Sequence, residues 1–94
     1  MSDETVALDA HVTGRVQGVS YRAWTRAEAL ALGLTGWVYN RPDGAVQVRL
    51  QGPADAVAGM ARRLREGPAA AQVADVMTEP AAPEPGQTGF EIRA

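Results

Sequence analysis

Residues 6–33 read VALDAHVTGRVQGVSYRAWTRAEALALG, and two periods meet inside this stretch. Val6, Leu8, Ala10 and Val12 alternate with Ala7, Asp9, His11 and Thr13, the pattern of a half-buried strand. Further on, Trp24, Ala27, Leu30, Ala31 and Leu34 are spaced along one stripe of a helix of roughly twelve residues. Gly33 is its predicted terminator. The switch from strand to helix falls at residues 14–20, where Gly14 and Gly18 open backbone angles closed to other residues.

The start of that helix carries an unusual charge pattern. The free N–H groups of a first helical turn bear partial positive charge, which favours Asp or Glu nearby. Here Arg15 precedes the helix, Arg22 sits in its first turn, and no acid occurs between Asp9 and Glu28. One reading is that the missing anion is a ligand. Main-chain N–H groups of the loop would converge on it, the helix dipole would attract it, and Arg22 would offer a planar fork for two phosphate oxygens. The other reading is a plain strand-to-helix turn with two solvated arginines, and spacing alone leaves both open. The loop matches neither GxxxxGK[ST] nor GxGxxG, so a nucleotide is not implied.

The rest of the chain supplies a second strand, TGWVYN at residues 35–40, and an RPDG turn with Pro42 and Gly44 suited to type I geometry. A third strand, AVQVRLQ at residues 45–51, places Val46, Val48 and Leu50 on one face. Gly52-Pro53 opens a second helix with Val57, Met60, Ala61 and Leu64 inward, and Arg62, Arg63 and Arg65 on a solvated face. An extended piece within residues 67–80 and a Pro-rich connection precede TGFEIR at residues 88–93, the expected last strand, with Phe90 and Ile92 facing in. The order βαββαβ predicts an α+β, ferredoxin-like two-layer sandwich, with an antiparallel sheet in order 4-1-3-2 and both helices on one face. In that topology strands one and two run in the same direction with strand three between them. Their C-terminal ends then lie at one edge of the sheet, about 10 Å apart. The loop leaves the first strand at this edge, and Asn40 ends the second there. Asn is also a common turn-entry residue, so Asn40 has two readings as well.

Composition narrows the function classes. The chain of 94 residues fits one domain, residues 1–94. It is 46% hydrophobic and 21% charged, an ordinary globular balance. No apolar run is long enough for a bilayer, and acidic residues 1–9 lack the apolar core of a secretory signal, so the expected setting is cytoplasmic, without membrane partners. A net charge of −2 argues against nucleic-acid binding. So do Gln47, Arg49 and Gln51 on the outer face of strand three, where an RNA-binding sheet would need aromatics. All nine basic residues are Arg, which reads as base composition for most of them. With no Cys and one His there is neither a disulfide framework nor a zinc set, and no metal or cofactor is expected. His11 reads as an exposed sheet histidine rather than a catalytic base. Trp24, Trp37 and Met60 read as core or semi-core residues.

Taken together, GRVQGVSYR at residues 14–22, GWVYNRPDGAVQV at residues 36–48 and LQGP at residues 50–53 closely resemble the acylphosphatase family, in order and along essentially the whole chain. The resemblance implies a metal-independent hydrolase that cleaves the carboxyl–phosphate bond of acyl phosphates, releasing a carboxylate and inorganic phosphate; a small domain with a closed two-layer core is, separately, expected to be a monomer. By motif position the resemblance assigns phosphate binding to Arg22 and orientation of the attacking water to Asn40. Arg15, Val16, Gln17, Gly18, Val19 and Ser20 match the phosphate cradle. Two departures stand out: Tyr39 occupies a position often basic or polar in relatives, and the chain ends FEIRA where many relatives finish with an aromatic residue. The competing expectation is a non-enzymatic ferredoxin-like module that binds phosphate or another small molecule. A narrower one is the carbamoyl-phosphate domain of a hydrogenase-maturation enzyme, normally the front of a longer chain.

Overall fold

The computed structural model describes residues 4–94. Residues 1–3, which the expected domain of residues 1–94 and the acidic N-terminal stretch include, lie outside the described residues. The elements run β1 (Thr5–Arg15), α1 (Tyr21–Ala31), β2 (Thr35–Asn40), β3 (Val46–Pro53), α2 (Ala54–Glu66), β4 (Gln72–Ala81) and β5 (Phe90–Arg93). They form one five-stranded sheet in order β4-β1-β3-β2-β5, with α1 packed over β2 and β5 and α2 over β1, β3 and β4.

The ferredoxin-like order 4-1-3-2 therefore holds, with two changes of cast. The fourth strand beside β1 is the extended piece, now β4, which pairs antiparallel from Ala7↔Ala81 to Arg15↔Gln72. The closing segment TGFEIR instead forms β5, a fifth strand parallel to β2 on the opposite edge. Length explains the exchange. The β4 segment offers ten residues to pair along β1, whereas β5 has only four. Phe90 is buried as expected, whereas Ile92, on the same helix-facing side opposite Val38, lies at the sheet edge and is 44% exposed.

The core lies between sheet and helices. Ala10, Val12, Val38, Val46, Val48 and Leu50 of the sheet meet Val57, Met60 and Leu64 of α2, all buried as their periodicity requires. The buried stripe of α1 differs from the expected one. It consists of Tyr21, Thr25 and Ala29, while Ala27, Leu30 and Ala31 are exposed. Two small residues one turn apart let α1 lie close to the sheet, and the Tyr21 hydroxyl donates to the Leu64 carbonyl of α2 at 2.7 Å. Trp24 packs at the margin, its ring 5.4 Å from that of Tyr21. Gly33 ends α1 as predicted: with φ +73° it donates to Leu30 O, and Leu34 N reaches back to Ala29 O, the paired bonds of a Schellman closure.

On the open face of the sheet Trp37 is half-buried, the semi-core alternative, and lies outside the main core cluster. Arg49 and Arg93 lie over its ring, Tyr39 sits beside it, and Arg49 is in turn locked to Asp9 by a two-pronged ion pair. Aromatics thus do occupy the open face, though on β2 rather than on the central β3. The outward arginines of α2 are less free than expected: Arg63 pairs with Glu28 of α1 at 3.0 Å and Arg65 donates to Val76 O.

Burial pushes the Tyr21 phenol well above its ordinary value, because the phenolate would be desolvated. The folded state then holds this proton more tightly than the unfolded chain, so stability is complete below about pH 10 and falls as pH rises beyond it. Tyr21→Phe is expected to cost about 1–2 kcal/mol at neutral pH by leaving Leu64 O unpaired. It should also flatten the alkaline decline. Urea titrations at pH 7 and above pH 10 read both effects.

Candidate active site

The hydrogen-bond register sets the site. Val12 of β1 and Asn40 of β2 both pair with Val46 of β3, so the ends of β1 and β2 lie in one row, two strand spacings apart. Val12, Val46 and Asn40 share the helix-facing side. Asn40 therefore points beneath the start of α1 rather than toward the open face. An Arg41 O···H–N Gly44 bond of 3.1 Å closes the RPDG turn immediately after Asn40, so the turn does not use the Asn40 side chain as its cap.

At the opposite wall the chain leaves β1 through a bulge at Thr13/Gly14. Gly14 has φ +118°, and a Cβ there would lie 2.3 Å from Gln72 O, so close strand approach demands glycine. Gly18 (φ +76°) and Ser20 (φ 65°) are both left-handed, and Ser20 caps α1 without any side-chain hydrogen bond. The first helical bond is Trp24 N to Ser20 O. The N–H groups of Tyr21, Arg22 and Ala23 therefore have no acceptor within the helix, and the first turn has no acid.

These pieces enclose an open cleft of about 190 Å³ lined by Val16, Gly18, Ser20, Tyr21, Arg22, Ala23, Asn40 and Ile92. The two side chains singled out by motif, Arg22 and Asn40, are brought together here from α1 and β2. Arg22 donates from Nη1 to Arg93 O at 3.2 Å, so β5 steadies its guanidinium at the rim. The buried Asn40 Oδ1 meets no donor among the described residues. Of the six loop residues, Val16, Gly18 and Ser20 line the cleft, Val16 while wedged into the core at 1% exposure. Arg15 is exposed outside the lining, Val19 packs against the core, and Gln17 turns its carboxamide toward the β2–β3 turn. Sequence reasoning missed Tyr21, Ala23 and Ile92 as lining residues, Tyr21 although it stands inside the GRVQGVSYR motif. Ala23 adjoins Arg22 and was within reach of the helix-start argument; Ile92 arrives through a long-range parallel pairing that no local pattern signals.

A larger groove of about 440 Å³ on the open face contains His11. Its polar side chains are partly engaged with one another and with Arg49: Asp9 accepts from Arg49, and His11 Nδ1 lies 3.3 Å from Gln47 Oε1. Among the described residues no cluster of three or more His, Asp or Glu is arranged to hold a metal, and no helix is long and apolar enough to cross a membrane.

Fold and cleft together define a small ferredoxin-like α+β protein with a cleft at the edge of its sheet where the start of α1 meets Asn40. The acylphosphatase family model matches residues 8–92. An acylphosphatase of Rhizobium etli is 49% identical over 92 residues, 98% of this chain and 98% of its own. Solved acylphosphatases from Bacillus subtilis and Coxiella burnetii each superpose with a TM-score of 0.90, at 31% and 35% identity, over 95% of this chain and 99% and 93% of theirs. The chain belongs to the acylphosphatase family, as the two motifs implied.

The loop's backbone makes a sharp prediction. A methyl at Gly18 meets nothing within 4 Å, so Gly18→Ala should cost only the left-handed backbone penalty, about 1–2 kcal/mol. Ser20→Gly relieves the same penalty and should leave stability unchanged or raised. Paired chemical denaturation curves test the contrast.

Proposed function

We propose that this enzyme, an acylphosphatase by family, cleaves the carboxyl–phosphate bond of acyl phosphates to a carboxylate and inorganic phosphate, with its phosphate bound in the cleft beneath α1. The observation that carries the reading is the meeting, in one cleft, of a helix start without side-chain cap or acid, Arg22, and an Asn40 Oδ1 that has no partner among the described residues. The 15–20 loop, through its main chain at Val16, Gly18 and Ser20, and the fork of Arg22 hold the phosphoryl oxygens. Charge that develops on them in the transition state is met by fixed donors.

Asn40 orients the attacking water, its Oδ1 accepting one of the water's hydrogens. Phosphoryl transfer needs positioning and charge stabilisation more than covalent help. The leaving carboxylate has a conjugate acid with a pKa of about 4, so no general acid is needed to expel it. A site without His, Cys or carboxylate is therefore sufficiently equipped, and the proposed mechanism has no metal or cofactor. The proposed setting is a cytoplasmic monomer. A non-enzymatic binding module has less support, because phosphate binding alone gives no role to an asparagine with a free acceptor.

Hydrolysis of benzoyl phosphate in excess EDTA tests the reading. Wild type should turn over, and Arg22→Ala should lose both phosphate affinity and turnover. Asn40→Ala should retain phosphate inhibition while kcat falls roughly 10²–10³-fold. No turnover from folded wild type, or equal loss of phosphate binding in both variants, overturns the assignment.

A further inference from the structure

Gln17 lies between the two glycines of the loop, where its side chain would be expected to face the ligand. It turns away instead. Its Nε2 donates to Arg41 O at 2.8 Å and to Ala45 O at 2.9 Å, using both hydrogens of one amide on the two carbonyls at the neck of the β2–β3 turn. Those carbonyls already belong to the turn: Ala45 O also accepts from Arg41 N at 2.8 Å, and Arg41 O from Gly44 N at 3.1 Å. Asp43 completes the frame by accepting from Ala45 N at 3.0 Å and from Arg41 Nε at 3.2 Å. Among the described residues, Gln17 is the one loop side chain that hydrogen-bonds to this turn, and Asn40 directly precedes it.

We propose that Gln17 is a positioning residue, whose carboxamide fixes the phosphate loop relative to the hairpin that carries Asn40. The inference rests on the division of roles under Proposed function, where loop and Asn40 hold different reactants. Two walls built on strands separated by β3 must keep phosphorus and water in line, and small misplacement there is costly. The chemistry required is narrow. Glutamate lacks the donors, methionine keeps the length without them, and asparagine falls short by one carbon–carbon bond, about 1.5 Å. Gln17 touches neither reactant in this arrangement, so its removal should act on geometry and not on phosphate affinity.

The test uses Gln17→Met alone and combined with Asn40→Ala, assayed for kcat on benzoyl phosphate and for inhibition by inorganic phosphate. Gln17→Met should lower kcat roughly tenfold to hundredfold with the phosphate inhibition constant unchanged. The double variant should be no slower than Asn40→Ala, because the brace acts through Asn40. An unchanged kcat, independent multiplication of the two losses, or a loss carried by weaker phosphate binding overturns the proposal while leaving the enzyme reading intact. A wild-type rate in Asn40→Ala overturns the water-holding role and the brace with it. Gln17→Glu guards against a folding artefact. Protonated, it regains one O–H donor, so its kcat relative to wild type should rise as pH falls through the carboxyl range near about 4.3. A flat ratio also overturns the proposal.

Discussion

The architecture depends on the register of β3 between β1 and β2. Val46, Val48 and Leu50 are fully buried in the core, and both edges of β3 are paired antiparallel. β1 and β2 are thereby made parallel to each other and end at the same edge of the sheet. A one-residue slip of β2 would turn Asn40 to the open face and drive Trp37 and Tyr39 under the helices. Core burial and site geometry are therefore enforced by the same ladder, and a chain that folds has already aligned Asn40 with the helix start.

The second wall of the site is irregular backbone held from behind. Val16 is driven into the core, Gly14 passes against β4, and Gly18 and Ser20 take left-handed angles that leave the loop's main chain bordering the cleft. Ser20 is the one non-glycine residue with positive φ among those described, and it lies at the cleft, where backbone strain is commonly concentrated. The helix start is unfavourable for folding by itself, with Arg22 in its first turn and no side-chain cap. Its stability comes from elsewhere: the Tyr21 hydroxyl on α2, and the hold of β5 on α1 through Arg22 to Arg93 O and Arg26 to Phe90 O.

β5 links fold and site. A four-residue parallel strand at a sheet edge is a modest element, yet it supplies two carbonyls to arginines of α1 and places Ile92 at the cleft mouth. On the other face the Asp9–Arg49 pair and the arginines over Trp37 cover polar and aromatic surface that would otherwise be open. Arg49 is only 16% exposed there, so its pairing satisfies a charge that is largely withdrawn from water.

Local physics made much of this legible in the sequence. Alternation in β1 and β3, the Gly33 terminator, the RPDG turn and the inward face of α2 are short-range patterns, and so is the acid-free start of α1, which by itself left a ligand and a plain turn both open. Arg22 and Asn40 stood out through their motifs, and the topology brought their walls to one edge. What only the tertiary structure decided is which partner each marginal segment takes. The stripe of α1 follows Tyr21, Thr25 and Ala29 because close packing on the sheet and the bond to Leu64 O outweigh hydrophobicity at Ala27 and Leu30. The long segment Gln72–Ala81 takes the edge beside β1, and Phe90–Arg93 takes the edge beside β2, because pairing length is settled between strands and leaves no periodic mark on either. Gln17 turns from ligand to hairpin for the same reason: its two acceptors lie 24 and 28 residues away and come within reach only when the sheet has formed.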